Sequence, residues 1–399
     1  MENRSVSTRG IKCGTAALNI AAAAALVAAL ALAAQLAAAV GRTAHWPDYA
    51  SMLAQWPAPL AWLRWVLGDM SEATFYKHEL ASLGMLAGGA LAWRASRRGK
   101  RWQGFAISYA TGLWPWLLLS STLGLVLSNL LWGWTIRAGQ EWQPTFVAFV
   151  SLPAATVLMY GRGWKIAVVG AVLGALLVTP SSLLLVNFVF APLALPGVIG
   201  NVGGMALGSV TAFMLYRRLP WLTAHDNAPP IVAAAPPEQV FGPGWIVRRM
   251  LADFTESPFF GNEWASAGLI AGVLLATALN ALSPAYGSGL LAEILTAQAL
   301  AAAIGVVVWR RQWIAKGWYP TYIPVVSVAP AAVLAYGGTA TAIVGGALLG
   351  ALLGPPLAAA LSRRLPKDFH PYVGNVLSMA FSTLLIVPAL GLLPGSGGH

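Results

Sequence analysis

The chain has 399 residues, of which 58% are hydrophobic and only 9% are charged, and its mean hydropathy is +0.68. So few charged side chains cannot cover the surface of a water-soluble protein of this size, which places the chain in a lipid bilayer. The formal net charge of +11 does not indicate nucleic-acid binding, because the basic residues occur in small groups between apolar runs. Cys13 is the only cysteine, so disulfides within the chain are excluded.

The first 40 residues begin with a basic segment and continue as an alanine- and leucine-rich run. This run is long enough to cross a membrane, and we predict an N-terminal transmembrane helix over residues 1–40. A basic start followed by an apolar stretch is also typical of a cleaved signal peptide, and the sequence leaves that alternative open.

The remainder of the chain is a duplication. Three pairs of similar segments carry this inference: 63–88 with 247–272 (eleven of 26 positions identical), 144–161 with 320–337 (nine of eighteen), and 200–206 with 374–380 (five of seven). Within the first pair Asp69/Asp253, Glu72/Glu256, Phe75/Phe259 and Glu79/Glu263 coincide. Glu79 and Glu263 are expected to pair with basic neighbours or with a helix N-terminus.

The pattern predicts an all-α polytopic membrane protein with about eleven transmembrane helices. Repeat 1 covers 41–216 and repeat 2 covers 246–399, each with an interfacial helix followed by five apolar runs. A proline-rich stretch at 217–245 is expected to be a cytoplasmic linker. Because five spans are an odd number, the second repeat would cross the bilayer in the opposite direction to the first, giving inverted repeats.

The basic residues indicate the orientation of this arrangement. With the N-terminus in the cytoplasm, twenty of the 24 lysines and arginines fall in cytoplasmic segments. This asymmetry agrees with the positive-inside rule. We therefore expect a multi-pass protein of the cell membrane, or inner membrane, with a cytoplasmic N-terminus and an external C-terminus.

Two features of the apolar runs bear on packing and function. Glycines spaced four apart recur in both halves, as at Gly84 and Gly88 and again at Gly268 and Gly272, which favours close helix packing. The similar segments 144–161 and 320–337 are short and contain proline. Interrupted helices at matching places in two halves are typical of a solute site in transporters, because they free backbone polar groups.

Five polar residues within apolar spans are the candidate site. Ser151, Ser327, Asn201 and Asn375 recur in both copies, and we predict that they bind a solute near the bilayer midplane. Hydrogen bonding of the serines to their own helix, and capping by the asparagines, remain open alternatives. Glu293 is the only acidic residue well inside an apolar run, and it is a candidate for coupling a proton or sodium ion, with a structural ion pair as the alternative.

These observations predict a transporter for a small polar solute, with the path between the repeats and with the bilayer, the solute and a coupling ion as partners. A passive channel for a small neutral solute and a structural or assembly subunit are the alternatives, and a homo-oligomer is left open. An enzyme is not expected, since the nucleotide, zinc-protease and serine-hydrolase motifs GxxxxGK[ST], HExxH and GxSxG are missing. The scattered histidines indicate neither a metal site nor a cofactor. In span count alone the arrangement is similar to five-plus-five inverted-repeat proteins such as urea transporters and amino-acid and sodium symporters.

Overall fold

The computed structural model describes residues 16–43, 46–136, 143–224 and 241–395. Cys13, the start of the possible signal peptide and residues 225–240 of the expected linker lie outside the described residues. Within the described ranges the chain forms helices and turns and no strand. The helices are α1 (Ala16–Val40), α2 (Tyr49–Ala54), α3 (Pro59–Asp69), α4 (Glu79–Arg97), α5 (Trp114–Trp132), α6 (Leu152–Tyr160), α7 (Trp164–Leu173), α8 (Thr179–Leu185), α9 (Gly197–Arg218), α10 (Pro243–Ala252), α11 (Glu263–Leu279), α12 (Leu291–Val308), α13 (Arg310–Lys316), α14 (Val328–Tyr336), α15 (Gly346–Arg364) and α16 (Tyr372–Gly391).

Several of these helices are suited to a bilayer, which supports a multi-pass membrane protein. In the described part of the chain, seven are long and apolar enough to cross it: Ala16–Val40, Trp114–Thr135, Trp164–Phe190, Gly197–Arg218, Leu291–Val308, Thr341–Arg364 and Tyr372–Gly391. Three further predicted spans correspond to shorter apolar helices, Thr145–Tyr160, Glu263–Leu279 and Ile323–Tyr336. The fourth, α4, has 19 residues and charged residues at both ends. The count of eleven spans therefore stays a prediction.

Helices α4 and α11 cross at their glycines. A Cβ atom at Gly84 would overlap the carbonyl oxygen of Gly268, and a Cβ at Gly268 would overlap the carbonyl oxygen of Gly84. Gly88 and Gly272 approach the carbonyls of Trp264 and Leu80 in the same way. A larger residue would separate the two backbones, so the expected packing role of these glycines is confirmed.

The two similar segments 144–161 and 320–337 are both interrupted helices. Each opens with a single 3₁₀ turn, Thr145–Ala148 or Ile323–Val326, and resumes as α6 or α14 after a serine with a non-helical backbone conformation. The hydroxyl of Ser151 donates to the carbonyl of Val147, and the hydroxyl of Ser327 donates to the carbonyl of Ile323. Each serine thus satisfies a carbonyl that the break leaves free.

The segments predicted to lie at the membrane interface each contain a buried cluster of charged side chains, and their position relative to the membrane stays a prediction. Lys77 lies between Asp69 and Glu72, and all three side chains are inaccessible to solvent. These carboxylates and their counterparts in the second repeat show that Glu293 is not the only acidic residue inside the molecule. Charges can be buried here because each has a partner of opposite sign within hydrogen-bond distance.

The similar segment 247–272 contains an equivalent cluster. Arg249 donates to Asp253 at 2.8 Å and to Glu256 at 2.7 Å, and its side chain is 4% exposed. A threonine binds the aspartate in both copies: Thr145 donates to Asp69 and Thr321 donates to Asp253. These bonds attach the start of each interrupted helix to the buried ion cluster of its own repeat.

The remaining pair of duplicated carboxylates forms ion pairs, as expected. Glu79 binds Arg64 at 2.6 Å, and Glu263 binds Arg248 at 2.7 Å. Each carboxylate lies in the first turn of its helix, α4 or α11, where the helix dipole also favours a negative charge.

Candidate functional site

An internal cavity of about 30 Å³ lies between the interrupted helices and helices α9 and α16. This volume has room for one or two water molecules or a solute of similar size. Its walls are built largely from residues at equivalent positions of the duplicated segments: Phe75 with Phe259, Phe146 with Tyr322, Val150 with Val326, Val202 with Val376, and Met205 with Met379. The two halves of the chain therefore contribute the same kinds of side chain to one central space.

Asn201 is the candidate residue that faces this cavity. Its side chain is fully buried, and neither its amide nitrogen nor its amide oxygen has a hydrogen-bond partner in the protein. Leaving such atoms unpaired costs about 1–3 kcal/mol each, so the amide of Asn201 is available to a water or solute molecule in the cavity.

Asn375, the counterpart of Asn201, is partly satisfied. Its amide nitrogen donates to the hydroxyl of Tyr322 at 3.1 Å, and its amide oxygen has no partner. The residue equivalent to Tyr322 in the first copy is Phe146, which has no hydroxyl. This single difference explains why the amide of Asn201 is unpaired while that of Asn375 is held.

Glu72 is a further polar residue of the cavity wall, and the sequence reasoning missed it. One of its oxygens binds Lys77 at 2.6 Å, while the other, Oε1, is buried without a partner. Its counterpart Glu256 has both oxygens occupied, by Arg249 and by the indole nitrogen of Trp318 at 2.7 Å. The identity of Glu72 and Glu256 in the repeat was the available signal, but the polar surroundings of the segment suggested an interface.

The other candidates lie away from the cavity wall. The neighbouring valines, not Ser151 and Ser327, line the cavity, and both hydroxyls donate within their own segment. Glu293 lies in the first turn of α12 rather than deep within it, and its Oε2 is buried without a partner. A role for these three residues in solute or ion binding stays a prediction.

Gln298, five residues further along α12, connects segments of the protein. Its amide nitrogen donates to the carbonyls of Thr74 and Val325, both at 2.9 Å, and its oxygen accepts from the hydroxyl of Tyr76. All of its contacts are therefore with protein groups, which favours a structural role over solute binding.

A second, larger cavity of about 730 Å³ adjoins the first. It lies where α9 begins and where α14 and α16 end, and we call it the mouth. The mouth and the central cavity share three lining residues, Phe75, Val198 and Tyr286. The central cavity is thus separated from the mouth by a few side chains at one end of α9.

The cavity wall offers hydrogen-bonding groups to a small polar molecule. Apolar and aromatic walls surround an amide, a carboxylate oxygen and a phenol hydroxyl, which can accept and donate hydrogen bonds. In the described part of the chain, no group of three or more histidine, cysteine or acidic residues could hold a metal ion. No protein-family model, curated protein or solved structure matches this chain.

Proposed function

We propose that the protein is a membrane transporter for a small polar solute, with the solute path at the interface of two inverted repeats. The observation that carries the proposal is the central cavity, to which equivalent residues of both copies contribute and in which Asn201 presents an unpaired amide. A buried polar group without a protein partner is costly, and binding of a solute offsets that cost.

The contacts between α4 and α11 support the inverted relation. The equivalent residues Gly84 and Gly268 meet each other, and the contact of Gly88 with Trp264 is matched by that of Gly272 with Leu80. A two-fold axis produces this reciprocal pattern, in which residue i meets j and the equivalent of i meets the equivalent of j. An axis in the membrane plane would relate two repeats of opposite direction.

The cavity also limits the size and the hydrogen-bonding groups of the solute. A space of about 30 Å³ admits a molecule with few non-hydrogen atoms, or requires the walls to move apart for a larger one. Asn201 offers both donors and an acceptor, and the free oxygen of Glu72 offers an acceptor, so the solute should carry N–H or O–H donors. The ammonium of Lys77 already binds the other oxygen of Glu72, so an uncharged donor on the solute is sufficient to satisfy Oε1.

Glu293 is the candidate for coupling transport to an ion. The buried, unpaired Oε2 of Glu293 is the observation in its favour. A Glu293→Gln variant should retain downhill exchange of the solute but lose uptake that depends on a proton or sodium gradient. Uptake that never depends on either gradient would leave Glu293 a structural residue.

The test is solute flux into liposomes containing the purified protein, measured by light scattering with formamide, urea and glycerol as probes. Asn201→Ala should weaken the apparent affinity for a transported probe roughly five-fold, as expected for about 1 kcal/mol of lost hydrogen bonding. Phe146→Tyr should also reduce flux, because the added hydroxyl would occupy the cavity and pair with Asn201, as Tyr322 pairs with Asn375.

Tyr322→Phe provides the matched control, since it removes the hydroxyl from the other copy. It should leave a second amide free and should not reproduce the loss caused by Phe146→Tyr. If folded Asn201→Ala and Phe146→Tyr proteins transport every probe like the wild type, the proposed site is wrong. If the wild type moves none of a wider set of small solutes, a structural subunit becomes the better account.

A transporter and a passive channel differ in counterflow. A transporter loaded with unlabelled solute should drive transient accumulation of labelled solute against its gradient, because each crossing requires a conformational change. A channel shows no such accumulation. Solute flux without counterflow would therefore indicate a channel rather than a transporter.

A further inference from the structure

The mouth has a counterpart at the opposite end of α9, and that counterpart is filled. Residues 194–196 line the mouth immediately before α9. Residues 368–370 occupy the equivalent positions shortly before α16. In the first copy these residues have small or aliphatic side chains: Ala194, Leu195 and Pro196. In the second copy the same positions hold Asp368, Phe369 and His370.

The aromatic residues of the second copy pack into the space. The ring of Phe369 lies 5.4 Å from the ring of Phe213, and His370 lies 5.8 Å from Phe259 and 5.6 Å from Tyr372. Phe259 and Tyr372 belong to the wall of the central cavity. Aromatic side chains therefore extend continuously from the cavity wall to this end of the molecule, where the first copy has the mouth.

An ion pair holds the filled end. Arg217, at the end of α9, donates two hydrogen bonds of 2.6 Å to the carboxylate of Asp368, and its guanidinium lies 5.3 Å from the centre of the Phe369 ring. Hydrogen bonding from Arg217 also keeps the pKa of Asp368 below its usual value, so the carboxylate is ionised at neutral pH. The equivalent positions in the other copy are Gly391 and Ala194, which cannot form an ion pair.

We propose that residues 368–370 form a gate that closes the solute path at the end of α9 carrying Arg217, and that the Arg217–Asp368 pair holds the gate shut. The inference rests on the proposed transport function, because a gate requires a path. The pair is about half exposed, and exposed pairs are weak, which suits a contact that must open in every cycle. The structure is then the state with one end open and the other closed.

Ala155 and Ala331 offer a matched test of the two ends. They occupy equivalent positions in the duplicated segments; Ala331 lines the mouth with 3% of its surface exposed, and Ala155 is fully buried. In a protein with Cys13 replaced by serine, each alanine is changed to cysteine and the rate of modification by a small methanethiosulfonate reagent is measured in nanodiscs, where both faces are accessible. Ala331→Cys should react about tenfold faster or more, because Ala155→Cys would react only through local opening.

Opening the gate should expose the Ala155→Cys thiol. Adding Asp368→Asn should raise its rate about twofold to fivefold, as expected for loss of an exposed ion pair, without changing the rate of Ala331→Cys. Phe369→Ala should also raise the modification rate of Ala155→Cys, although it leaves the Arg217–Asp368 ion pair in place. Exchanging the two charges, Arg217→Asp together with Asp368→Arg, should restore protection of the thiol.

Two results would overturn the proposal. One is equal reactivity of the two cysteines in the unmodified background, which would mean that both ends are open. The other is an unchanged Ala155→Cys rate in both the Asp368→Asn and the Phe369→Ala proteins. Because modification is measured without transport, failure of the Asn201 flux test would contradict the solute site and leave the gate result intact.

Discussion

At the scale of single residues, the two buried ion clusters supply their cation from different positions. Lys77 serves the first, while its equivalent in the second copy is Gly261, where a Cβ would lie only 2.7 Å from a Glu256 oxygen. The second copy instead uses Arg249, whose equivalent in the first is Trp65. The carboxylate pair is thus common to both segments while the residue that neutralises it differs, so we expect a cation between the carboxylates to stabilise the fold.

Lys77→Met is therefore expected to destabilise the protein strongly. Removing one partner leaves two buried carboxylates uncompensated, and such changes cost about 3–5 kcal/mol. Arg248→Met is the matched control, because the Arg248 side chain of the Arg248–Glu263 pair is 49% exposed and loss of an exposed pair costs about 0–1 kcal/mol. The unfolding temperature in detergent should fall much further for Lys77→Met than for Arg248→Met. Equal decreases for the two variants would contradict the burial of the first cluster.

His78 should make stability depend on pH. Burial lowers the pKa of His78 to about 4, and the neutral ring caps α4 by accepting from the amide of Leu80. Since the unfolded value is near 6.5, the unfolded chain binds a proton first as the pH falls. Stability is fully present above pH 6.5 and is lost towards pH 4, by about 2 kcal/mol between pH 7 and 5.

The second copy provides the control for this effect. Asn262 caps α11 at the equivalent position, accepting from the amides of Trp264 and Ala265. His78→Asn should keep the cap and remove the titration, so its unfolding temperature should fall less between pH 7 and 5 than that of the wild type. Parallel pH profiles for the two proteins would show that His78 is not the group responsible.

At the scale of elements, the α4–α11 crossing depends on the absence of side chains. Gly84→Ala should force the two backbones apart, at a cost of about 1–3 kcal/mol, because the new Cβ overlaps the backbone of Gly268. Gly244→Ala, in the first turn of α10, is the control, since no atom lies within 4 Å of its added Cβ. Unfolding temperatures that fall equally for both variants would contradict the close approach of α4 and α11.

At the scale of the whole molecule, the predicted orientation remains to be measured. Eleven spans with a cytoplasmic N-terminus put the loop after α4 inside the cell and the loop before α12 outside it. In a Cys13→Ser background, Ser288→Cys should react with a membrane-impermeant thiol reagent applied to intact cells, and Lys100→Cys should be protected. The reverse pattern would reject the orientation, and equal reactivity of the two would reject the number of crossings between them.

The sequence alone determined the membrane character, the similarity of the paired segments, the interruption of segments 144–161 and 320–337, and the glycine contacts. These follow from composition, from local backbone chemistry and from the absence of a side chain, none of which requires knowledge of distant neighbours. The alternative role of Ser151 and Ser327 was likewise local, since each bonds to a carbonyl four residues earlier.

Only the tertiary structure decided which polar residues face the cavity. Hydropathy averages over a window and cannot show that a lysine lies between two carboxylates, so the burial of Asp69, Glu72 and Lys77 within a segment of mixed polarity could not be predicted. The difference between Asn201 and Asn375 depends on Tyr322, more than fifty residues from Asn375 along the chain. The free energy of a buried polar group depends on the partner that folding brings to it, and that partner is a property of the packed molecule.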